Sequence, residues 1–179
     1  MSKQSEAVLG KASTGREAPA LLVLEDGTAY AGRSCAAQGE AFGEICFDTS
    51  MIGYEDVIID PAYTGGIVTM TYPQVGNYGI SRSGLGGRKP SLRGMVVHLM
   101  CRTPSNWQCE ASLPDYLEEE GVVAIEGIDT RSLTRHVRGH DRQGAAISTI
   151  DLDPRSLLAR LRERRTGAGQ GSATGKGGE

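Results

Sequence analysis

The hydrophobic and polar positions of the chain predict strands in its first half and alternating strands and helices in its second half. The strand pattern is an apolar run rich in β-branched residues and bounded by glycine, proline or charged residues. Such runs lie at 21–34, 44–51, 67–72, 93–101 and 122–125. Asp26-Gly27 divides the first run, and we expect a type I′ turn at this dipeptide to join two strands into a hairpin. The run at 122–125 has no polar alternation, which is typical of a strand covered on both faces.

Three helices are predicted, each from a capping residue followed by apolar positions at helical spacing. They span 112–121, 129–139 and 151–165. Ser112, Asp129 and Asp153 are the expected N-caps, and a glycine follows each of the first two helices as a stop signal. The apolar segment 54–60 fits either a helix or a strand. Strands followed by strand–helix alternation predict a mixed α/β fold.

The order of these segments divides the 179-residue chain into three parts. Residues 1–18 are small and polar, so we expect them to be disordered. Residues 19–162 form the predicted folded body. Residues 163–179 are rich in glycine and have little to bury, and we expect a flexible tail or a truncated linker there.

Composition and charge argue against several classes of protein. Hydrophobic residues make up 39% of the chain and charged residues 23%, which is typical of a globular body. The net charge of −3 argues against a nucleic-acid partner. No apolar run approaches the ~20 residues that span a membrane, and the N-terminus lacks the apolar core of a secretory signal. We therefore expect a cytoplasmic protein with no membrane partner.

The sequence gives only weak evidence for catalytic or metal-binding residues. The four cysteines lack CxxC spacing, and Cys46 and Cys101 are expected to be small core residues. His136 and His140 have metal-ligand spacing, but Gly139 lies between them, so surface histidines are the preferred interpretation. No Cys or Ser lies in a nucleophile-elbow motif. No catalytic, cofactor-binding or metal-binding residue is predicted.

Two further segments have a surface interpretation. The glycine-rich segment 84–91 lacks the spacing of a phosphate-binding loop, and we expect a mobile surface loop. Four arginines lie close together, at 131, 135, 138 and 142. The preferred interpretation is a solvated helix face, and a patch for an acidic protein surface comes second.

The segment DPAYTGGIVTMTYPQVGNYG, residues 60–79, combines tyrosines with glycines. Glycine permits tight turns and close backbone approach, and tyrosine joins an apolar ring to a polar tip, which suits interfaces. A packed turn around one strand and a protein interface explain this composition about equally well.

Collinear motifs over about residues 20–150 resemble a known family. The motifs are LLVLEDGT, FGEICFDTSMIGYEDVIIDPAY, IVTMTYPQVGNYG, TPSNW and GIDTRSLTRHVR. Together they resemble the N-terminal domain of the carbamoyl-phosphate synthase small subunit. The resemblance implies a three-layer β/β/α swivelling fold and no catalytic residue in this part of the subunit.

The same resemblance implies the partners and their chemistry. In the family, a separate C-terminal glutamine amidotransferase domain carries a Cys-His-Glu triad, and the large subunit binds ATP and metal. Both would be partners of this chain, in the synthesis of carbamoyl phosphate for pyrimidines and arginine. The chain itself would need no cofactor.

Two positions depart from the family pattern. Ala62 stands where the family commonly has a serine that can touch the bound glutamine, and Ile52 stands where threonine is usual. The resemblance turns the tyrosine-rich segment toward the interface interpretation. The expected interface residues are Tyr63, Tyr72, Asn77 and Tyr78.

The leading hypothesis is a non-catalytic domain that docks the glutaminase domain onto the large synthetase subunit. A truncated gene product of the same subunit is one alternative, suggested by the glycine-rich end. A free-standing protein-binding module that reuses the fold is the other alternative.

Overall fold

The structure, a computed structural model, describes residues 17–50, 53–106, 109–139 and 143–169. The strands are β1 Pro19–Leu24, β2 Ala29–Ser34, β3 Glu40–Asp48, β4 Ile67–Met70, β5 Gln74–Val75, β6 Gly94–Val96, β7 Leu99–Met100, β8 Val123–Glu126 and β9 Gly144–Ser148. The α-helices are α1 Tyr54–Ile59, α2 Leu113–Glu119, α3 Thr130–Val137 and α4 Pro154–Gly169. Pro61–Tyr63 forms a short 3-10 helix.

Seven of these strands form one closed sheet in the order β1-β2-β8-β6-β4-β3-β9, with β9 paired back to β1. The pairs within β3-β4-β6-β8 are parallel, and the remaining pairs are antiparallel. The short strands β5 and β7 pair separately. The predicted mixed α/β class is confirmed. The division of the fold into three β/β/α layers stays a prediction. In the structure, hydrogen bonds join all seven strands into a single closed sheet.

The interior of the closed sheet is filled by aliphatic side chains from its strands. Its buried members include Leu22, Ile45, Ile67, Ile125 and Ile147. Leu133 and Val137 of α3 belong to the same cluster, so α3 packs against the interior after β8 ends. Burial of such side chains is the main contribution to the stability of the fold.

Helices cover the outer faces of the sheet. α1 and α2 pack on the face that includes Val68 of β4 and Met95 of β6. α4 packs through Leu157 and Leu161 on Val23 of β1 and its neighbours. Strands covered on both faces need apolar residues throughout, which explains why the runs of β1 and β8 show no polar alternation.

The hairpin at Asp26-Gly27 is confirmed, but its predicted type I′ turn is wrong. Among the described non-glycine residues only Glu17 has a positive φ, so Asp26 is not left-handed, whereas Gly27 has φ 95°. The Gly27 N–H donates to the Leu24 carbonyl, and the Leu24 N–H donates to the Thr28 carbonyl. This is a three-residue loop with a left-handed glycine, the next most common hairpin connection.

Other elements refine the sequence interpretation. The open segment 54–60 is helical as α1, while the predicted strand 93–101 divides into β6 and β7. α4 begins at Pro154 as predicted and continues to Gly169, past the expected end of the body at 162. The expected disordered segment 1–18 and the glycine-rich end lie largely outside the described residues.

The cysteine prediction is wrong in its choice of residues. Cys46 and Cys101 are only partly buried, whereas Cys35, which follows β2, is fully buried in the core. Desolvation raises the pKa of the Cys46 thiol, with a smaller contribution from Glu44.

An ion pair between the buried Glu126 and the partly exposed Arg102 ties the end of β7 to the end of β8. The Glu126 carboxylate is 1% exposed, and it accepts from Nη2 and Nη1 of Arg102 at 2.5 and 3.2 Å. It also accepts from the Met100 backbone N–H at 3.1 Å. Burying a carboxylate is costly unless it is paired in this way, so the arginine has a structural role.

A second pair ties the first hairpin to α3 and is the source of an expected pH dependence. His136 Nε2 lies 2.6 Å from Asp26 Oδ2, so His136 is not the freely solvated histidine predicted from the sequence. Burial would raise the pKa of Asp26, but hydrogen bonds from the Thr28 backbone and from His136 outweigh it and lower that pKa. His140 lies outside the described residues.

We expect His136→Gln to lower the free energy of unfolding by up to about 1 kcal/mol at pH 5, since the pair is partly exposed. A carboxyl with a lowered folded-state pKa stabilises the fold above its unfolded pKa of about 3.9, and this contribution is lost as the pH falls further. The difference between wild type and variant should therefore shrink below about pH 4. Urea denaturation between pH 2.5 and 6 measures it, and a pH-independent difference would contradict the role of Asp26.

Candidate functional site

The segment 60–79 begins with the turn that carries Ala62. Asp60 caps the 3-10 helix, and its Oδ1 accepts from the Ala62 N–H at 2.8 Å. The Thr64 hydroxyl donates to the Pro61 carbonyl and closes the turn. Ala62 is exposed at the tip of this turn, so its side chain is available to another molecule.

Tyr63 is held by the chain itself. Its hydroxyl donates to Asp48 Oδ2 at 3.0 Å, and its ring packs against the core cluster beneath α1. Burial and the hydrogen bond to Asp48 raise the pKa of Tyr63 to about 12. This side chain fixes the turn of Ala62 to the end of β3.

Tyr78 is also used within the domain. Its ring stacks on Tyr54 with centroids 4.3 Å apart, and its hydroxyl oxygen accepts from the Gly53 N–H at 2.9 Å. The Tyr54 hydroxyl donates to the Gly79 carbonyl at 2.6 Å. Burial raises the pKa of both tyrosines. The stack joins the start of α1 to the end of the segment.

Asn77 and Tyr72 complete the predicted set. The Asn77 carbonyl accepts from the Ser105 N–H at 2.8 Å and from its hydroxyl at 3.1 Å. Tyr72 is half-buried, and its hydroxyl has no hydrogen bond to the residues that the structure describes. Ala62 precedes β4 and Tyr72 follows it, so these two most available side chains flank opposite ends of that strand.

The sequence did not identify Asp48 and Tyr54 as members of this site. Both lie in other elements. Asp48 reaches the segment through its hydrogen bond with Tyr63, and Tyr54 reaches it through its stack on Tyr78 and its hydrogen bond to Gly79. Covariation between positions in aligned relatives could have identified Asp48 and Tyr54, whereas the composition of the segment could not. Tyr63 and Tyr78 thus make packing contacts within the domain. The assignment of Tyr63, Tyr72, Asn77 and Tyr78 to an interface stays a prediction.

The remaining candidates behave as surface residues. Arg131 and Arg135 are exposed on α3, and Arg138 lies 5.2 Å above the ring centre of Phe47. His98 is exposed, with Nδ1 3.0 Å from the Ile128 carbonyl oxygen. Within the described ranges, no three His, Cys, Asp or Glu side chains are grouped so as to hold a metal ion. Every helix in those ranges is too short or too polar to cross a lipid bilayer.

The sequence is similar to known proteins over most of its length. One relative, the carbamoyl phosphate synthase small chain of Thermotoga maritima, is 50% identical over 144 residues, which are 80% of this chain and 37% of the relative. The protein of the same name from Nitratidesulfovibrio vulgaris is 48% identical over 155 residues, 87% of this chain and 41% of the relative. The chain thus spans about two fifths of the length of these curated relatives.

A solved structure, an aminopeptidase from Aneurinibacillus sp. strain AM-1, matches 75% of this chain and 31% of its own at 15% identity and a TM-score of 0.44. Residues 22–147, which include all or most of each strand of the closed sheet except the first half of β1, match the family described as carbamoyl-phosphate synthase small chain, CPSase domain. The chain therefore belongs to the carbamoyl-phosphate synthase small chain family.

Proposed function

We propose that this chain is a non-catalytic docking domain that holds a glutamine amidotransferase domain against the large carbamoyl-phosphate synthetase subunit. The observation that carries the proposal is the identity of about half of 144 aligned residues with a carbamoyl phosphate synthase small chain. Glutamine hydrolysis would occur on the amidotransferase domain, and ATP and metal would bind the large subunit. The product would be carbamoyl phosphate for pyrimidine and arginine synthesis.

The contacts of the segment 60–79 support a docking role. Tyr63 and Tyr78 are anchored to Asp48 and Gly53, so the turns that they carry are held in place before a partner arrives. Preorganised surfaces bind with a smaller loss of conformational entropy. Ala62 and Tyr72 are then the side chains that we assign to contact with the amidotransferase domain. The finer swivelling form of the fold, with helices as a third layer, is part of the same proposal.

Reconstitution from separate polypeptides tests this function. The purified chain is mixed with a large subunit and an isolated amidotransferase domain, and the mixture is analysed by size-exclusion chromatography. We expect a three-component complex in which glutamine supports carbamoyl phosphate formation. The same mixture without this chain is the control and should show weaker coupling. Separate elution with no gain in glutamine-dependent synthesis would contradict the docking role and favour a free-standing binding module.

Restoring the serine of the family tests the assignment of position 62. In the reconstituted complex, Ala62→Ser should tighten glutamine binding by about one neutral hydrogen bond, ~0.5–1.5 kcal/mol, because the added hydroxyl lies on an exposed turn. The glutamine KM of the coupled reaction is the measurement. Thr64→Ser, which keeps a hydroxyl on the same turn, is the matched control. An unchanged KM in the Ala62→Ser complex would show that position 62 does not reach the substrate.

A further inference from the structure

A cavity of about 370 Å³ opens near the start of β6 and β8. One wall is the first part of β3, including Phe42, and another is the segment 89–93 that leads into β6. The turn between α2 and β8 and the last turns of α4 complete it. The mouths of small barrels are common positions for ligand sites, and this volume is at the lower end of the usual range of about 300–1,000 Å³.

Three cationic side chains line this cavity, namely Lys89, Arg93 and Arg164. Within the part of the chain that the structure describes, none of them forms an ion pair, although five other arginine or histidine side chains there do. The Arg164 guanidinium lies 4.1 Å from the ring centre of Phe42, so the aromatic ring holds its position. The cavity therefore presents three positive charges, one of which is held in place by an aromatic ring. Their N–H groups are not used in ion pairs with the described residues.

The two carboxylates on the cavity wall do not cancel this charge. Glu40 accepts from Arg160 at 2.6 and 2.8 Å and from the Ser148 hydroxyl at 3.0 Å, so its charge is already neutralised. The hydrogen bond from Arg160 lowers the pKa of Glu40 against the opposing effect of burial. Only Glu120 remains to oppose the three cations.

We propose that this cavity binds a small phosphate-bearing anion. Two guanidinium groups present planar forks of N–H donors, and the lysine adds a compact ammonium, a combination that suits the several oxygens of a phosphate group. The volume accommodates one compact phosphorylated molecule. No residue of the segment 60–79 lines the cavity. The two are neighbours, since a Cβ atom added to Gly65 would lie 4.0 Å from Arg93 Nε.

Titration of the full chain with pyrophosphate, followed by isothermal calorimetry at fixed ionic strength, tests the proposal. We expect saturable binding, with Arg93→Gln and Arg164→Gln each weakening it about tenfold or more, as for the loss of a charge-assisted hydrogen bond. Glu120→Gln should strengthen binding. Arg131→Gln, an exposed arginine of α3 outside the cavity, is the matched control and should bind like wild type.

Several results would overturn the assignment. The absence of binding at millimolar pyrophosphate would do so, and so would equal weakening by Arg131→Gln and Arg93→Gln. Citrate of matched charge that binds as tightly as pyrophosphate would show that phosphate is not selected. Arg93, Arg131 and Arg164 are exposed and Glu120 is half-buried, so we expect all four variants to keep the fold. Thermal denaturation of each variant measures this.

Discussion

An Arg102→Ala variant is expected to lose about 3 kcal/mol of unfolding free energy, because the substitution leaves the Glu126 carboxylate buried without its cation. Removing one partner of a buried ion pair costs about 3–5 kcal/mol, and the lower end applies since Arg102 is itself 37% exposed. The Met100 N–H would then be the main remaining donor to Glu126. Urea denaturation at pH 7, followed by circular dichroism, measures the loss.

A matched control comes from an exposed pair on the same molecule. Arg82 and Glu119 form an ion pair in which both side chains are about half exposed, so Arg82→Ala should lower the free energy of unfolding far less than Arg102→Ala does. Adding Glu126→Gln to Arg102→Ala should recover part of the loss, because the buried charge is removed. Equal unfolding midpoints for Arg102→Ala and Arg82→Ala would contradict the structural role of the buried pair.

A Gly43→Ala variant is expected to lose about 2–3 kcal/mol of unfolding free energy. The reason is that β3 lies too close to the turn at Gly65 to leave room for any side chain at position 43. A Cβ atom at Gly43 would lie 2.4 Å from the Gly65 carbonyl oxygen. That oxygen belongs to backbone, so the overlap is relieved only if β3 or the turn moves. Gly65 follows the turn of Ala62, and we therefore expect the amide resonances of residues 60–66 to shift as well.

Gly139→Ala is the control for this substitution. Among the residues that the structure describes, a Cβ atom there would meet only the His136 carbonyl oxygen at 3.8 Å, an ordinary contact, and Gly139 has no positive φ. Removing a glycine at such a position stabilises a fold by about 0.4–1 kcal/mol. Thermal denaturation compares the two variants. A Gly43→Ala protein as stable as Gly139→Ala would show that β3 and the turn can separate freely.

The sequence predicts most elements because their signals are local. Ser112 and Asp129 each accept from a backbone N–H three residues later, as capping residues should. Asp26-Gly27 identifies the hairpin for the same reason. The turn type is not local, because it depends on how many residues separate the pairing partners Val23 and Ala29.

Contacts between distant residues account for what the sequence could not predict. Propensity favours one strand over 93–101, but the exposed His98, whose carbonyl accepts from Gly127, separates β6 from β7. The composition of the segment 60–79 likewise shows that it is rich in tyrosine. It does not show that Tyr63 contacts Asp48 or that Tyr78 contacts Tyr54. Those pairings are set by the closure of the sheet and the packing of α1.

The position of β9 between β1 and β3 determines when this domain can fold during protein synthesis. β1 is made first, yet its partner Ser148 comes at the end of the last strand. At bacterial and eukaryotic elongation rates the delay is on the order of ten seconds. During this delay the nascent β1–β2 hairpin has an unpaired apolar edge, and such an edge can pair with a strand of another chain. We expect ribosome-bound chains that stop before Gly144 to stay protease-sensitive, and chains that extend past α4 to become resistant in one step.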